Sequence, residues 1–358
     1  MARSGYALLF TVCAFASSAI PAHADSGAPT VRLLGEQVLP HGLDFAGTTV
    51  GGLSGVDYSA RSGEYVLISD DRSAKNPARF YTARIPVDGN GVGPVEFIDT
   101  HPLRTPDGGT YPVGGVDPED LRVDPWTGDY VWSQEGERTG TVLADPSLRI
   151  AHPDGAFAGE LPIPDNERVR PDSGPRTNDV LEGVTFAAGG ALLVSSVEGP
   201  LLQDGPGPTA ATGALTRITV QARTGPLLAQ YAYPLDPVFA EGSGSNGIAA
   251  ILAADPVDPT KYLVLERSYV EKAGNKIRVY EMDTAGATDV LDAPLGQARP
   301  VSKRLLVDLA DVGLAEIDNI EGMTWGPQLA SGERTLVLVS DDNFSGSQIT
   351  QVVALAVR

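Results

Sequence analysis

Residues 320–343, IEGMTWGPQLASGERTLVLVSDDN, decide how this chain is read. A short apolar run, MTW, is followed by a turn rich in Gly, Pro and Ser, and then by the β-rich run LVLVS. Two such runs across such a turn predict a β-hairpin. Glu321 precedes the first run, and Asp341 and Asp342 follow the second. In an antiparallel pair those places lie at the same end, so the acids are expected to converge.

The pattern recurs. LSGVDYSARSGEYVLISDDR from Leu53, PEDLRVDPWTGDYVWSQEGE from Pro118, LEGVTFAAGGALLVSSVEG from Leu181 and SNGIAAILAADPVDPTKYLVLERS from Ser245 share it. With Ser54, Glu119, Glu182, Asn246 and Glu321 taken as equivalent, the copies lie 65, 63, 64 and 75 residues apart. Such a period holds the hairpin and two further strands, for example ALTRITVQA and NKIRVYEMD. Four strands per unit, repeated around an axis, predict an all-β fold: a β-propeller of five or six four-stranded blades. Residues 30–50 and the run ITQVVALAV are expected to close the ring. A β-sandwich would not explain the constant period.

The first 24 residues carry Arg3, the apolar run YALLFTVCAFASSAI and the small-residue tripeptide Ala22, His23, Ala24. This is the pattern of a secretory signal peptide cleaved after Ala24. It predicts a secreted or periplasmic domain over residues 25–358 with no membrane span. The single cysteine, Cys13, lies in that leader, so disulfides and thiolate-bound metal are excluded from the mature chain. Loss of Arg3 takes the formal charge from −20 to −21. So acidic a surface repels phosphate backbones, excluding nucleic acid as a partner, and attracts cations.

Rotation about a propeller axis carries equivalent positions to one face of the ring. Glu119 with Glu135, Glu182 with Glu198, and Glu321 with Asp341 and Asp342 are therefore expected around one mouth of the central channel. Asp70 and Asp71 from the first copy and Glu266 from the fourth join them. Carboxylates ~4 Å apart repel by about 4 kcal/mol at an effective dielectric near 20. A hard divalent cation with oxygen ligands, Ca²⁺ first and Mg²⁺ second, would neutralise them. Zinc is disfavoured, because His41, His101 and His152 have no ligand-like spacing. Arg72, Arg138 and Arg267 stand beside the acids and offer planar forks for an anion. No G-x-S-x-G elbow, H-E-x-x-H or P-loop pattern is present.

Together the blocks quoted above, with KIRVYE and the extension DNF at 342–344, resemble the phytase-like family, labelled for the esterase-like activity of phytase. The resemblance spans residues 35–357. It implies a secreted β-propeller and, through β-propeller phytases, calcium-assisted hydrolysis of a phosphoester. The matched polar positions are Asp70, Asp71, Arg72, Glu119, Glu135, Glu182, Glu198, Glu266, Arg267, Glu321, Asp341, Asp342 and Asn343. The chain departs from the family where the fourth copy, SNGIAAILAADP, lacks an acid before its first strand. The mouth is also short of cations for a substrate as highly phosphorylated as phytate.

The expectation is a monomeric, metal-dependent hydrolase of a small anionic or ester substrate. Glu182, Glu119, Arg72 and Arg267 are the catalytic residues: one Glu, for example Glu182, acts as general base, and Arg72 and Arg267 hold the anion. Asp71, Glu135, Glu198, Glu266, Glu321, Asp341 and Asp342 are the metal ligands, and Asn343 contacts substrate. Two alternatives stay open: a non-catalytic calcium-stabilised binding propeller, and a lactonase-type propeller using Asn343 or Asn246.

Overall fold

The computed structural model describes residues 29–358, so the expected leader lies outside the described residues. The chain forms five four-stranded antiparallel blades, the smaller of the two expected numbers. Blade 1 comprises Leu53–Ser59, Glu64–Ser69, Arg79–Arg84 and Glu96–Pro102. Blade 2 comprises Pro118–Val123, Tyr130–Gln134, Ser147–Ala151 and Phe157–Leu161. Blade 3 comprises Leu181–Ala187, Leu192–Val197, Ala214–Ala222 and Leu227–Leu235. Blade 4 comprises Gly244–Ala253, Lys261–Val270, Gly274–Asp283 and Ser302–Asp308. Blade 5 comprises Ile320–Trp325, Arg334–Ser340, Thr350–Val357 and, as its outermost strand, Val31–Leu39 from the other end of the chain. That strand runs antiparallel to Thr350–Val357, Val31 opposite Val357 and Leu39 opposite Thr350, and it closes the ring as expected.

Period-2 alternation explains why the strands are apolar on both faces. Leu336 and Leu338 pack with Leu263, Leu265 and Val279 of blade 4. Val337 and Val339, on the other face of the same strand, pack with Leu53, Val56 and Tyr81 of blade 1. Each blade is thus sandwiched between two others, and the core is a set of five inter-blade layers. Truncating a side chain such as Leu338 to Ala should cost about 2–5 kcal/mol.

The first strand of each blade lines the central channel, and each carries a register irregularity, near its start in four blades and midway along Gly244–Ala253 in blade 4. Space there is tight. A Cβ on Gly183 would lie 2.6 Å from the backbone N of Ile251, and one on Gly55 would lie 2.8 Å from Cα of Asp120. The glycines that follow Ser54, Glu182 and Glu321 therefore have a steric cause: each lets the next inner strand approach.

Arg122 plugs the channel. It is buried, and it donates from Nε to Val184 O at 2.6 Å, from Nη2 to Ile251 O at 3.2 Å and from Nη1 to Val56 O. Asp120 lies 2.9 Å from Nη2 and supplies the countercharge. Asp57 accepts from Thr324 Oγ1 and Val123 N, both at 2.8 Å. The two side chains tie all five inner strands together and separate the two mouths.

Candidate functional site

Strand register decides which side chains reach the upper mouth. In the five blades Leu53 faces Ser69, Pro118 faces Gln134, Leu181 faces Val197, Ile248 faces Glu266 and Ile320 faces Ser340. The residues that follow on the second strands are Asp70, Glu135, Glu198, Arg267 and Asp341. Those that follow on the first strands are Ser54, Glu119, Glu182, Ala249 and Glu321. The equivalent of Glu182 in blade 4 is thus Ala249, not Asn246, because the irregularity falls between Ile248 and Ala250. The missing acid of the fourth copy is accompanied by an arginine at the paired position.

A cavity of about 680 Å³ opens here, lined by Asp70, Arg72, Glu119, Glu182, Arg267, Glu321, Asp341 and Asn343 among others. Glu135 and Glu198 stand among the same acids. Carboxylate oxygens of Asp117, Glu119 and Glu135 lie within 4.8 Å of one another, as do those of Glu135, Glu182 and Glu198, so Glu135 belongs to both trios. Val180 N holds Glu135 Oε1 at 3.0 Å. Glu198 Oε2 and Asp70 Oδ1 are buried without any hydrogen-bond partner among the described residues.

Three expected acids and one expected arginine go elsewhere, and for the acids alternation is the reason. Asp71, next to Asp70, turns into its own loop, where it accepts from Ala74 N and Asn76 N at 2.8 Å and pairs with buried Arg79 at 2.7 Å. Asp342, next to Asp341, accepts from Gly52 N at 2.8 Å and Phe344 N at 3.1 Å. Glu266, next to Arg267, faces away from the channel, accepting from Tyr233 OH at 2.8 Å and Asn246 Nδ2 at 2.9 Å, with Lys303 as counter-ion. Arg138 holds a loop instead, donating from Nε to Pro175 O and from Nη2 to Ser173 O, both at 2.6 Å.

Asp117, Asp179, Asp318 and Asn319 are site residues that the sequence reading passed over. Asn319 donates from Nδ2 to Glu321 Oε1 at 3.0 Å and to Asp341 Oδ2 at 3.1 Å. Two mouth asparagines, Asn178 and Asn343, adopt φ of 54° and 47°. Such left-handed backbone is uncommon outside glycine, though asparagine tolerates it best.

Electrostatics follow from geometry. Burial, and then the neighbouring acids, push Asp70, Glu119 and Glu182 well above the ordinary carboxylate range. Burial likewise pushes Glu198 and Asp341 well up, Glu135 to about 7 and Asp117 to about 6. Arg267 answers part of this charge, 3.0 Å from Glu198 and 3.1 Å from Glu321. Burial pulls its guanidinium down, but Glu321 and Glu198 outweigh that and hold it charged. Arg72, at the rim, lies 3.4 Å from Asp117 and 3.8 Å from Glu137. Two guanidinium groups do not balance this many carboxylates.

Fold and site define a five-bladed β-propeller whose acidic mouth carries oxygen donors in metal-ligand spacing. The chain belongs to the phytase-like family: the family model described as esterase-like activity of phytase matches residues 48–344. A search of curated proteins finds no match. Among solved structures, the Dos1 propeller aligns at a TM-score of 0.35 and 7% identity, covering 85% of this chain and 68% of that one. A gluconolactonase from Xanthomonas campestris aligns at a TM-score of 0.33 and 14% identity, covering 83% of this chain and 70% of the other. Among the described residues no helix is long and apolar enough to cross a membrane.

Proposed function

We propose that the acidic mouth is the active site of a cation-dependent hydrolase acting on a phosphoester or carboxylic ester. The observation that carries this reading is the pair of carboxylate trios sharing Glu135, with buried Glu198 Oε2 left without a partner among the described residues. An all-oxygen donor set of this kind fits a hard divalent cation, Ca²⁺ first and Mg²⁺ second. Glu135, Glu182 and Glu198 would hold it, and when bound it would supply positive charge to polarise the ester and activate water.

The chain's own groups do the rest. Glu119, partly exposed to the cavity, takes the proton from the attacking water as general base, in the ionised form that a neighbouring cation would favour. Arg72, half-free at the rim, holds the anionic group of the substrate. Arg267 stays on Glu198 and Glu321 and fixes their orientation. Asn343 and Asn178 offer amide groups to the remainder of the substrate. Glu182 thereby moves from base to ligand relative to the sequence expectation. The reading takes residues 25–358 as one secreted domain acting as a monomer.

Turnover of p-nitrophenyl phosphate and p-nitrophenyl acetate by Glu119→Gln tests the assignment. A loss of about 100-fold or more is expected if Glu119 is the base, with calcium still bound by Glu135, Glu182 and Glu198. Calcium binding by the wild type without turnover of any ester would instead make this a binding propeller.

A further inference from the structure

The opposite mouth of the channel holds a second cavity, about 630 Å³, on the far side of Arg122. All five inner strands reach it through their far ends, with Asp57 and Tyr58, Arg122 and Val123, Thr185 and Phe186, Leu252 and Ala253, and Trp325. Its character is the reverse of the acidic mouth. Phe186, Leu252, Trp325 and prolines 125, 256 and 327 make the wall mostly apolar. The carboxylate there, Asp57, faces Arg122 at 3.9 Å and already accepts from Thr324 and Val123.

One cation in this wall is left over. Arg334 lies with its guanidinium carbon 3.5 Å from the centroid of the Trp325 ring, and Trp325 is fixed in turn by Nε1 donating to Ala253 O at 2.9 Å. Arg334 donates from Nη1 to Ala254 O, and although Asp255 lies near enough to act on its charge, no carboxylate among the described residues closes an ion pair with it. Burial outweighs the charge of Asp255 and pulls the Arg334 guanidinium down from its ordinary range. Its remaining N–H groups keep their fork geometry for a bidentate acceptor.

We propose that this lower mouth is a second ligand site, distinct from the acidic one, for a small monocarboxylate with an apolar body. The carboxylate would sit on the free fork of Arg334, and the alkyl or aryl part would lie against Phe186, Leu252 and Trp325. The inference does not depend on the hydrolase reading, because no residue of the acidic mouth takes part.

Calorimetric titration of the calcium-free full chain with octanoate, and with octan-1-ol as the uncharged counterpart, tests it. Octanoate should bind about tenfold or more tightly than octanol, the span expected for one charge-assisted contact. Arg334→Met, which keeps the stem over Trp325 and removes the charge, should erase that gap. Equal binding of the two probes by the wild type, an octanoate preference that survives Arg334→Met, or no binding at millimolar octanoate would each overturn the proposal. The two-probe comparison on the wild type stands even if the variant does not fold.

Discussion

Arg267 of blade 4 donates from Nη2 to Glu198 Oε1 of blade 3 at 3.0 Å, and it occupies the place in its blade that Glu198 occupies in its own. One position of a five-fold ring of acids is thus inverted in sign. The inversion lets four acids on the second strands coexist with three on the first strands, since the guanidinium touches Glu198 and Glu321 together.

Removing that charge should be severe. Arg267→Met leaves Glu198 and Glu321 buried without their counter-ion, and breaking such a pair on one side costs about 3–5 kcal/mol. Denaturant unfolding of wild type and variant in calcium-free buffer would show the loss. Added Ca²⁺ should recover a larger share of stability in the variant than in the wild type, because more negative charge awaits neutralisation.

Arg122 should matter equally, for a different reason. Arg122→Met strands Asp120 and frees three inner-strand carbonyls, those of Val56, Val184 and Ile251. A loss of about 3–5 kcal/mol is expected, read from the urea midpoint. Calcium should not restore it, since the plug lies below the acidic mouth.

Glu167 predicts a pH dependence outside the mouth. It is buried, its Oε1 accepts from Thr219 at 2.6 Å and Gln230 at 2.8 Å, and its Oε2 has no partner among the described residues. Burial pushes its pKa to about 7 from 4.5. The folded state therefore holds this proton more tightly than the unfolded chain. Its stabilising contribution is full below pH 4.5 and is lost as pH rises through 7. Glu167→Gln should be more stable than wild type at pH 8, by about 1–3 kcal/mol, and nearly equal at pH 5. Unfolding curves at the two pH values check the sign.

The propeller was legible because its period is long and its hairpins are strongly β-patterned. Closure by the N-terminal strand was legible too, since ITQVVALAV needs an edge partner. The site was legible only in part. An even spacing drew Asn246 into line, whereas the local constraint, close approach of inner strands, selects the small pair Ala249 and Ala250 as the counterpart of Glu182 and Gly183. In the doublets Asp70-Asp71, Glu266-Arg267 and Asp341-Asp342, pattern alone does not tell which member faces the channel; register with the first strand does. Asp117, Asp179 and Asp318 precede the inner-strand acids Glu119, Glu182 and Glu321 by two or three residues, a recurrence visible in VDPED, NDVLEG and DNIEG.

The central claim is that the upper mouth holds a divalent cation through Glu135, and calorimetric Ca²⁺ titration of residues 25–358 tests it most directly, with ester turnover followed in the same buffer. Saturable binding that Glu135→Gln abolishes, accompanied by turnover that chelation removes, is the predicted result. Absence of calcium and magnesium binding, or binding that Glu135→Gln leaves unchanged, would contradict the account and return these carboxylates to protonated acids packed around Arg267.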